Sequence, residues 1–306
     1  MTAPSTDLST ALAAGPVVLD GGLATELERR GHDLSSELWS ARVLRDEPGE
    51  VVAAHRAFVD AGARVLPTAS YQASFDGLAA AGVDADGTRA LLRRSVELAR
   101  EAAGDAPVWV AASVGPYGAA RADGSEYTGA YGAVLDVAAL RQWHRERLQV
   151  LADAGADVLA LETVPCLVEA QALIEEAEAA GVRAWLSLTT VTRPDGRVVT
   201  RRGEPAEAAF ALARDTDAVI AVGVNCADPP GVPAAVRLAA RVSGKPVVVY
   251  PNSGESWDAR ARAWIGPARF DATDVEGWLR AGARLVGGCC RVTPSAIADL
   301  AAATQG

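Results

Sequence analysis

Eight times along the chain, a short and nearly continuous apolar run gives way to turn residues and then to an Ala/Leu/Arg/Glu-rich helical segment. The runs lie at 16–22, 63–68, 108–114, 157–163, 183–189, 218–226, 246–251 and 284–290. Strands that lack polar alternation are buried on both faces, and their alternation with helices marks a parallel sheet covered on both sides. Eight such units in 306 residues predict a closed (β/α)8 barrel, a single domain spanning 1–306. An open doubly wound sheet is the rival, with its ligand at a switch in strand order and often a glycine-rich nucleotide loop. No G-x-G-x-x-G or Walker loop follows any of the runs. Helix ends agree with the barrel: segments at 48–61, 138–154 and 276–281 stop at Gly62, Gly155 and Gly282, the usual residue past a last turn. The longest stretches without a regular pattern, 115–133 and 252–271, both follow strands and are expected over the mouth of the barrel.

Half of the residues are hydrophobic, enough for a large core. The net charge of −10 and the absence of a dense Lys/Arg cluster argue against nucleic acid as a partner. The first residues have neither a basic stretch nor an apolar core of a secretory signal, and the apolar runs are strand-sized, so neither export nor a membrane is expected. A cytoplasmic protein follows, in which four cysteines are expected as metal ligands or buried thiols rather than disulfides.

A barrel of this kind builds its site where the strands run out. Those ends carry Asp20, Thr68, Ser113, Glu162, Thr189, Asn225 with Cys226, Tyr250 to Asn252, and Cys289 with Cys290. Buried cysteines are commonly plain small hydrophobes, and Cys166 keeps that reading. Three thiols at strand ends instead match a zinc ion with three protein ligands and an open fourth position, the pattern of a catalytic site. The paired Gly287 and Gly288 are expected to supply backbone angles that turn both neighbouring sulfurs to one ion. Only three histidines exist, His32, His55 and His144, none with ligand spacing, and no H-E-x-x-H occurs. An all-sulfur zinc is a weak Lewis acid toward water and suits a soft ligand such as a substrate thiol, which points to alkyl transfer to sulfur. Asp20 and Glu162, with the Gly21-Gly22 bend, match the ammonium and carboxylate of an amino acid. Asn225 joins them as an expected substrate contact. A zinc hydrolase or lyase on the same barrel, and a non-catalytic binder of thiol amino acids, are the alternatives.

Leu19-Asp-Gly-Gly-Leu-Ala-Thr-Glu-Leu27, Gly223-Val-Asn-Cys226 and Gly287-Gly-Cys-Cys-Arg291 resemble the motifs of the homocysteine S-methyltransferase family. That family includes betaine–homocysteine methyltransferase and the homocysteine module of methionine synthase. The resemblance implies a zinc (β/α)8 barrel that makes methionine from homocysteine, with Cys226, Cys289 and Cys290 as zinc ligands. It also implies that Asp20 and Glu162 hold the homocysteine amino group, and that the Gly21-Gly22 backbone lies near its carboxylate. Val248-Val-Tyr-Pro-Asn-Ser-Gly-Glu255 and Ala112-Ser-Val-Gly-Pro-Tyr-Gly118 look most like the branch that uses S-methylmethionine or S-adenosylmethionine. The folate and cobalamin domains of methionine synthase have no counterpart here, which is an expectation against those donors. A sulfonium donor would suit aromatic faces, and Tyr71, Tyr117 and Trp257 are candidates.

Overall fold

The computed structural model describes residues 4–34, 40–121, 123–258 and 263–304. All eight apolar runs form strands: β1 (Val17–Val18), β2 (Val65–Pro67), β3 (Trp109–Val114), β4 (Val158–Val164), β5 (Ala184–Leu188), β6 (Val219–Asn225), β7 (Val247–Tyr250) and β8 (Ala283–Val286). They make one eight-stranded sheet of parallel neighbours, from β1 through β8, β7, β6, β5, β4 and β3 to β2. The two outer strands meet through a parallel bridge between Leu19 and Val65, with Asp20 N–H donating to the Val65 carbonyl at 3.2 Å. The barrel is thereby closed, and residues from the two ends of the chain become neighbours.

Side chains alternate across each strand. One set, including Leu19, Val65, Trp109, Ala111, Val158, Ala160, Trp185, Val248 and Leu285, packs inside the barrel. The other set, including Val110, Leu159, Leu186, Val222 and Val249, packs against the surrounding helices. Each large apolar side chain taken from water contributes about 1.5–3 kcal/mol. The helix Leu8–Ala14 plugs the N-terminal end, where its Leu8 and Leu12 join the interior cluster. Trp109 Nε1 donates to the Thr6 carbonyl there at 3.0 Å. The sequence reading assigned nothing to this segment, although Leu8 and Leu12 are spaced one helical turn apart.

The glycine stops hold: Gly62, Gly155 and Gly282 have φ of 100°, 83° and 115°. The stretches expected to lack structure carry short elements. Residues 115–133 contain the helix Tyr117–Arg121 and two 3-10 turns, and the later stretch contains a hairpin of Ser256–Asp258 with Ala263–Ile265. A second hairpin, Thr190–Thr192 with Val198–Thr200, follows β5. All of these are held by local hydrogen bonds that carry too few residues to show a period. Among the described residues no helix is long and apolar enough to cross a membrane.

His55 is fully buried, and neither ring nitrogen has a partner. Burial holds its pKa down at about 4, against 6.5 in water, so the folded protein keeps the ring neutral. Below pH 6.5 the unfolded chain binds a proton that the folded chain refuses. The His55 contribution to stability should therefore be level above pH 7 and fall as pH drops from about 6.5 toward 4, by on the order of 3 kcal/mol. Urea melts at a series of pH values check this. His55→Leu should remove that part of the slope, and an unchanged slope in the variant defeats the assignment.

Candidate active site

The C-terminal ends of the strands open into a cavity lined by Asp20, Thr68, Ser113, Glu162, Thr163, Tyr250 and the sulfurs of Cys226, Cys289 and Cys290, with Tyr71 and the more exposed Tyr127 and Glu28 also in its wall. The three Sγ atoms lie within 4.8 Å of one another. Cys226 Sγ is 2.6 Å from Cys289 Sγ, and Cys289 Sγ is 4.0 Å from Cys290 Sγ. All three are free thiols. Tetrahedral zinc at 2.3 Å from each sulfur spaces its ligands by about 3.8 Å, and this trio brackets that spacing. Three ionised sulfurs this close repel one another strongly unless a cation lies among them. The donor set therefore fits a soft divalent metal.

Two separate segments deliver the sulfurs. Cys226 directly follows β6 and turns off the strand with φ of 45°. Its N–H donates to the Tyr250 carbonyl at 3.3 Å, and its own carbonyl accepts from Thr189 Oγ1 at 3.1 Å and Arg201 Nη2 at 3.3 Å. The tandem pair sits in a loop after β8 that is stitched to both neighbouring strands. Gly288 N–H donates to the Asp20 carbonyl at 2.9 Å, Cys289 N–H to the Pro251 carbonyl at 2.7 Å, and Cys290 N–H to Asn252 Oδ1 at 3.2 Å. The loop leaves through Arg291, with φ of 67°.

The glycine pair works differently from the expectation. Neither Gly287 nor Gly288 has positive φ; that conformation falls on Cys226 and Arg291 instead. The glycines are needed for close approach. A Cβ on Gly287 would stand 2.6 Å from the Asp20 carbonyl oxygen, and one on Gly288 would overlap Val292. Gly223, three residues before Cys226, has the same reason: a Cβ there would overlap the Val248 carbonyl of β7.

Asp20 and Glu162 are both buried at the cavity wall. Asp20 Oδ2 has no hydrogen-bond partner. Burial, and then the neighbouring Glu162, push the Asp20 carboxyl well above its ordinary range. Burial also lifts Glu162 to about 7, against the pull of hydrogen bonds from Ser113 and Tyr250. Two raised carboxyls and one orphaned oxygen are an unfilled place for a cation such as an ammonium. The Gly21-Gly22 bend is less open than expected, since Gly22 N–H donates to the Val292 carbonyl at 2.9 Å. The unpaired amides that remain nearby belong to the first turn of the helix Leu23–Arg29.

Asn225 does not line the cavity. Its Oδ1 accepts from Thr163 N–H and Ser187 Oγ, both at 2.7 Å, and its Nδ2 donates to Thr163 Oγ1 at 2.7 Å. This carboxamide latches Thr163, a β-branched residue held at φ of 59°, a conformation that costs on the order of 1–3 kcal/mol. The β4–β5 register breaks between Leu161 and Val164. The break lets the consecutive residues Glu162 and Thr163 face the same cavity, which a regular strand forbids. Thr163 Oγ1 also lies 3.8 Å from Cys226 Sγ.

Of the aromatic candidates, Tyr71 lines the cavity. Tyr117 instead packs on Tyr131 and Trp143, with ring centroids 5.1 Å away in each case. The Trp257 side chain lies outside the described residues. Tyr127, which the sequence reading missed, lines the rim from the loop after β3. A buried network anchors that loop: Glu169 accepts from Tyr117 N–H at 2.6 Å and from the Tyr131 hydroxyl, and meets His144 Nε2 at 2.9 Å. Cys166 is a packing residue beneath Gly129 and Gly132, its thiol pushed up to about 12 by burial.

The model of the family described as homocysteine S-methyltransferase matches residues 17–304. The chain belongs to the homocysteine S-methyltransferase family. Homocysteine S-methyltransferase 4 of Zea mays is 43% identical, over 96% of this chain and 90% of its own. Selenocysteine Se-methyltransferase of Brassica oleracea var. italica is 41% identical, over 92% of this chain and 87% of its own. The metallated form of the homocysteine methyltransferase MmuM from Escherichia coli superposes with a TM-score of 0.82 at 41% identity, covering 94% of this chain and 96% of that one. Like those relatives, this family member is a methyltransferase by class.

A metal in the sulfur trio should raise thermal stability, by about 2.7 kcal/mol at a hundredfold excess over its dissociation constant. Melting scans with and without a chelator check this. Cys289→Ala should melt at the same temperature in both conditions, and a metal-dependent shift that survives in the variant places the metal elsewhere.

Proposed function

We propose that the protein is a zinc-dependent methyltransferase that moves a methyl group from a methylsulfonium donor, S-methylmethionine or S-adenosylmethionine, to the thiol of L-homocysteine, giving methionine. The observation that carries this reading is the sulfur trio of Cys226, Cys289 and Cys290 set beside the two raised carboxyls of Asp20 and Glu162. Zinc held by the three cysteines would accept a substrate thiol in its fourth position and lower that thiol's pKa.

The remaining roles fall to the chain itself. Asp20 and Glu162 receive the acceptor's ammonium, which supplies the counter-charge that both buried carboxyls lack. Ser113 and Tyr250 hold the Glu162 carboxylate in place. The backbone from Gly21 to the first turn of the helix Leu23–Arg29 faces the acceptor's carboxylate. Asn225 acts at one remove, through Thr163. Tyr71 and Tyr127 present the rim of the cavity to the donor's positive sulfur. The acceptor sulfur attacks the methyl carbon; the new S–CH3 bond forms as the old C–S bond breaks, and the leaving sulfur keeps the electron pair. The acceptor's thiol proton passes to solvent. Charge is neutralised as the bond forms, so a cavity with little water favours the step. Unpaired thiols this close together also suit the reducing cytoplasm.

The test is methionine formation by the zinc-loaded protein with homocysteine and each donor in turn. Cys289→Ala should abolish turnover, and retained turnover defeats the reading. A selenol acceptor belongs in the same panel, because the Brassica relative bears that name.

Ammonium binding needs Glu162 ionised, and its pKa lies at about 7 in the free protein. The kcat/KM for homocysteine should therefore climb as pH rises through about 7. Glu162→Gln should raise the homocysteine KM at least about tenfold and flatten that limb. A pH profile identical to the parent's would remove Glu162 from the acceptor site.

A further inference from the structure

We propose that Arg201 anchors the carboxylate of the methyl donor, an inference that rests on the sulfonium-donor reading above. Arg201 directly follows the hairpin inserted after β5. Pairing of Thr190 with Thr200 sets it opposite Thr189, and its Nε donates to Thr189 Oγ1 at 3.0 Å. Nη2 reaches the carbonyl of Cys226 at 3.3 Å. The guanidinium carbon sits 5.8 Å from the ring centroid of Tyr127. Cys226 and Tyr127 both line the cavity, so this cation is fixed at its edge by two residues of the wall.

Its charge is unanswered. Among the described residues no carboxylate forms an ion pair with Arg201, whereas its neighbour Arg202 pairs with Glu204 at 2.7 Å. The other guanidinium near the sulfurs, Arg291, is engaged by Glu255 at 3.2 Å. A guanidinium has five N–H donors, and two contacts leave three for a ligand. The cavity's own ionisable carboxyls, Asp20, Glu28 and Glu162, can take ammonium or sulfonium but repel a carboxylate. An amino-acid donor brings its own carboxylate, four bonds from the sulfonium in S-methylmethionine. With the methyl aimed at a sulfur beside Cys226, the carboxylate falls within reach of a cation resting on the Cys226 carbonyl. A planar fork of donors suits that group.

The test compares S-methylmethionine with its methyl ester, which keeps the sulfonium and removes the carboxylate charge. The parent protein should favour the acid over the ester in kcat/KM by roughly 10- to 100-fold. Arg201→Gln should bring that preference close to one, and Arg201→Lys should keep part of it. A purely structural role for Arg201 lowers both donors alike, so an acid/ester preference equal to the parent's in Arg201→Gln overturns the anchor while leaving the donor reading intact. Failure of the parent to use S-methylmethionine, its ester or S-adenosylmethionine, with homocysteine present and the metal loaded, defeats the donor reading and the anchor with it.

Discussion

Among the backbone hydrogen bonds that join the two ends of the molecule, the one from Gly288 N–H to the carbonyl of Asp20, at 2.9 Å, bears most directly on the site. It forms because the barrel is closed, with β1 beside both β8 and the bridge to β2. It fixes the distance between the carboxyl that awaits an ammonium and the loop that presents two of the three sulfurs. The glycine at 287 follows from the same contact, since a side chain there would push the Asp20 carbonyl away. On the proposed reading, the fold itself would measure an acceptor amino acid, with its amine at one strand end and its sulfur at the next.

Backbone strain is concentrated at that junction. The three non-glycine residues with positive φ among those described are Thr163, Cys226 and Arg291. Each sits where a strand or loop must turn a functional group into the cavity. Asn225 and Ser187 hold the first, the carbonyl of Tyr250 the second, and Thr25 Oγ1 the third, accepting Arg291 N–H at 2.9 Å. Strain of this kind persists only where surrounding contacts over-determine it. The polar residues behind the cavity wall supply those contacts.

Much of this was legible in the sequence, because parallel strands buried on both faces leave unbroken apolar runs. Their ends then named Asp20, Ser113, Glu162, Tyr250 and the cysteines as one constellation. Other features depend on tertiary contacts that no local pattern carries. Asn225 precedes a metal-type cysteine, yet the pleat turns it toward β4 and β5, where it braces Thr163. The glycine pair was read as a source of unusual dihedrals, when the need was room for a neighbouring strand. Tyr127 and Arg201 arrive from insertions after β3 and β5, and short elements of that kind show no periodicity. Tyr117 carried the same chemical promise as Tyr127, but packs into the anchoring cluster around Glu169 instead.

The helix Leu8–Ala14 corks the far end of the barrel, and Trp109 and Trp185 fill the bore above it. Traffic to the sulfurs therefore runs through the upper doorway alone. On the proposed reading both substrates would share that doorway, the acceptor reaching down to the sulfurs and the donor lying above it.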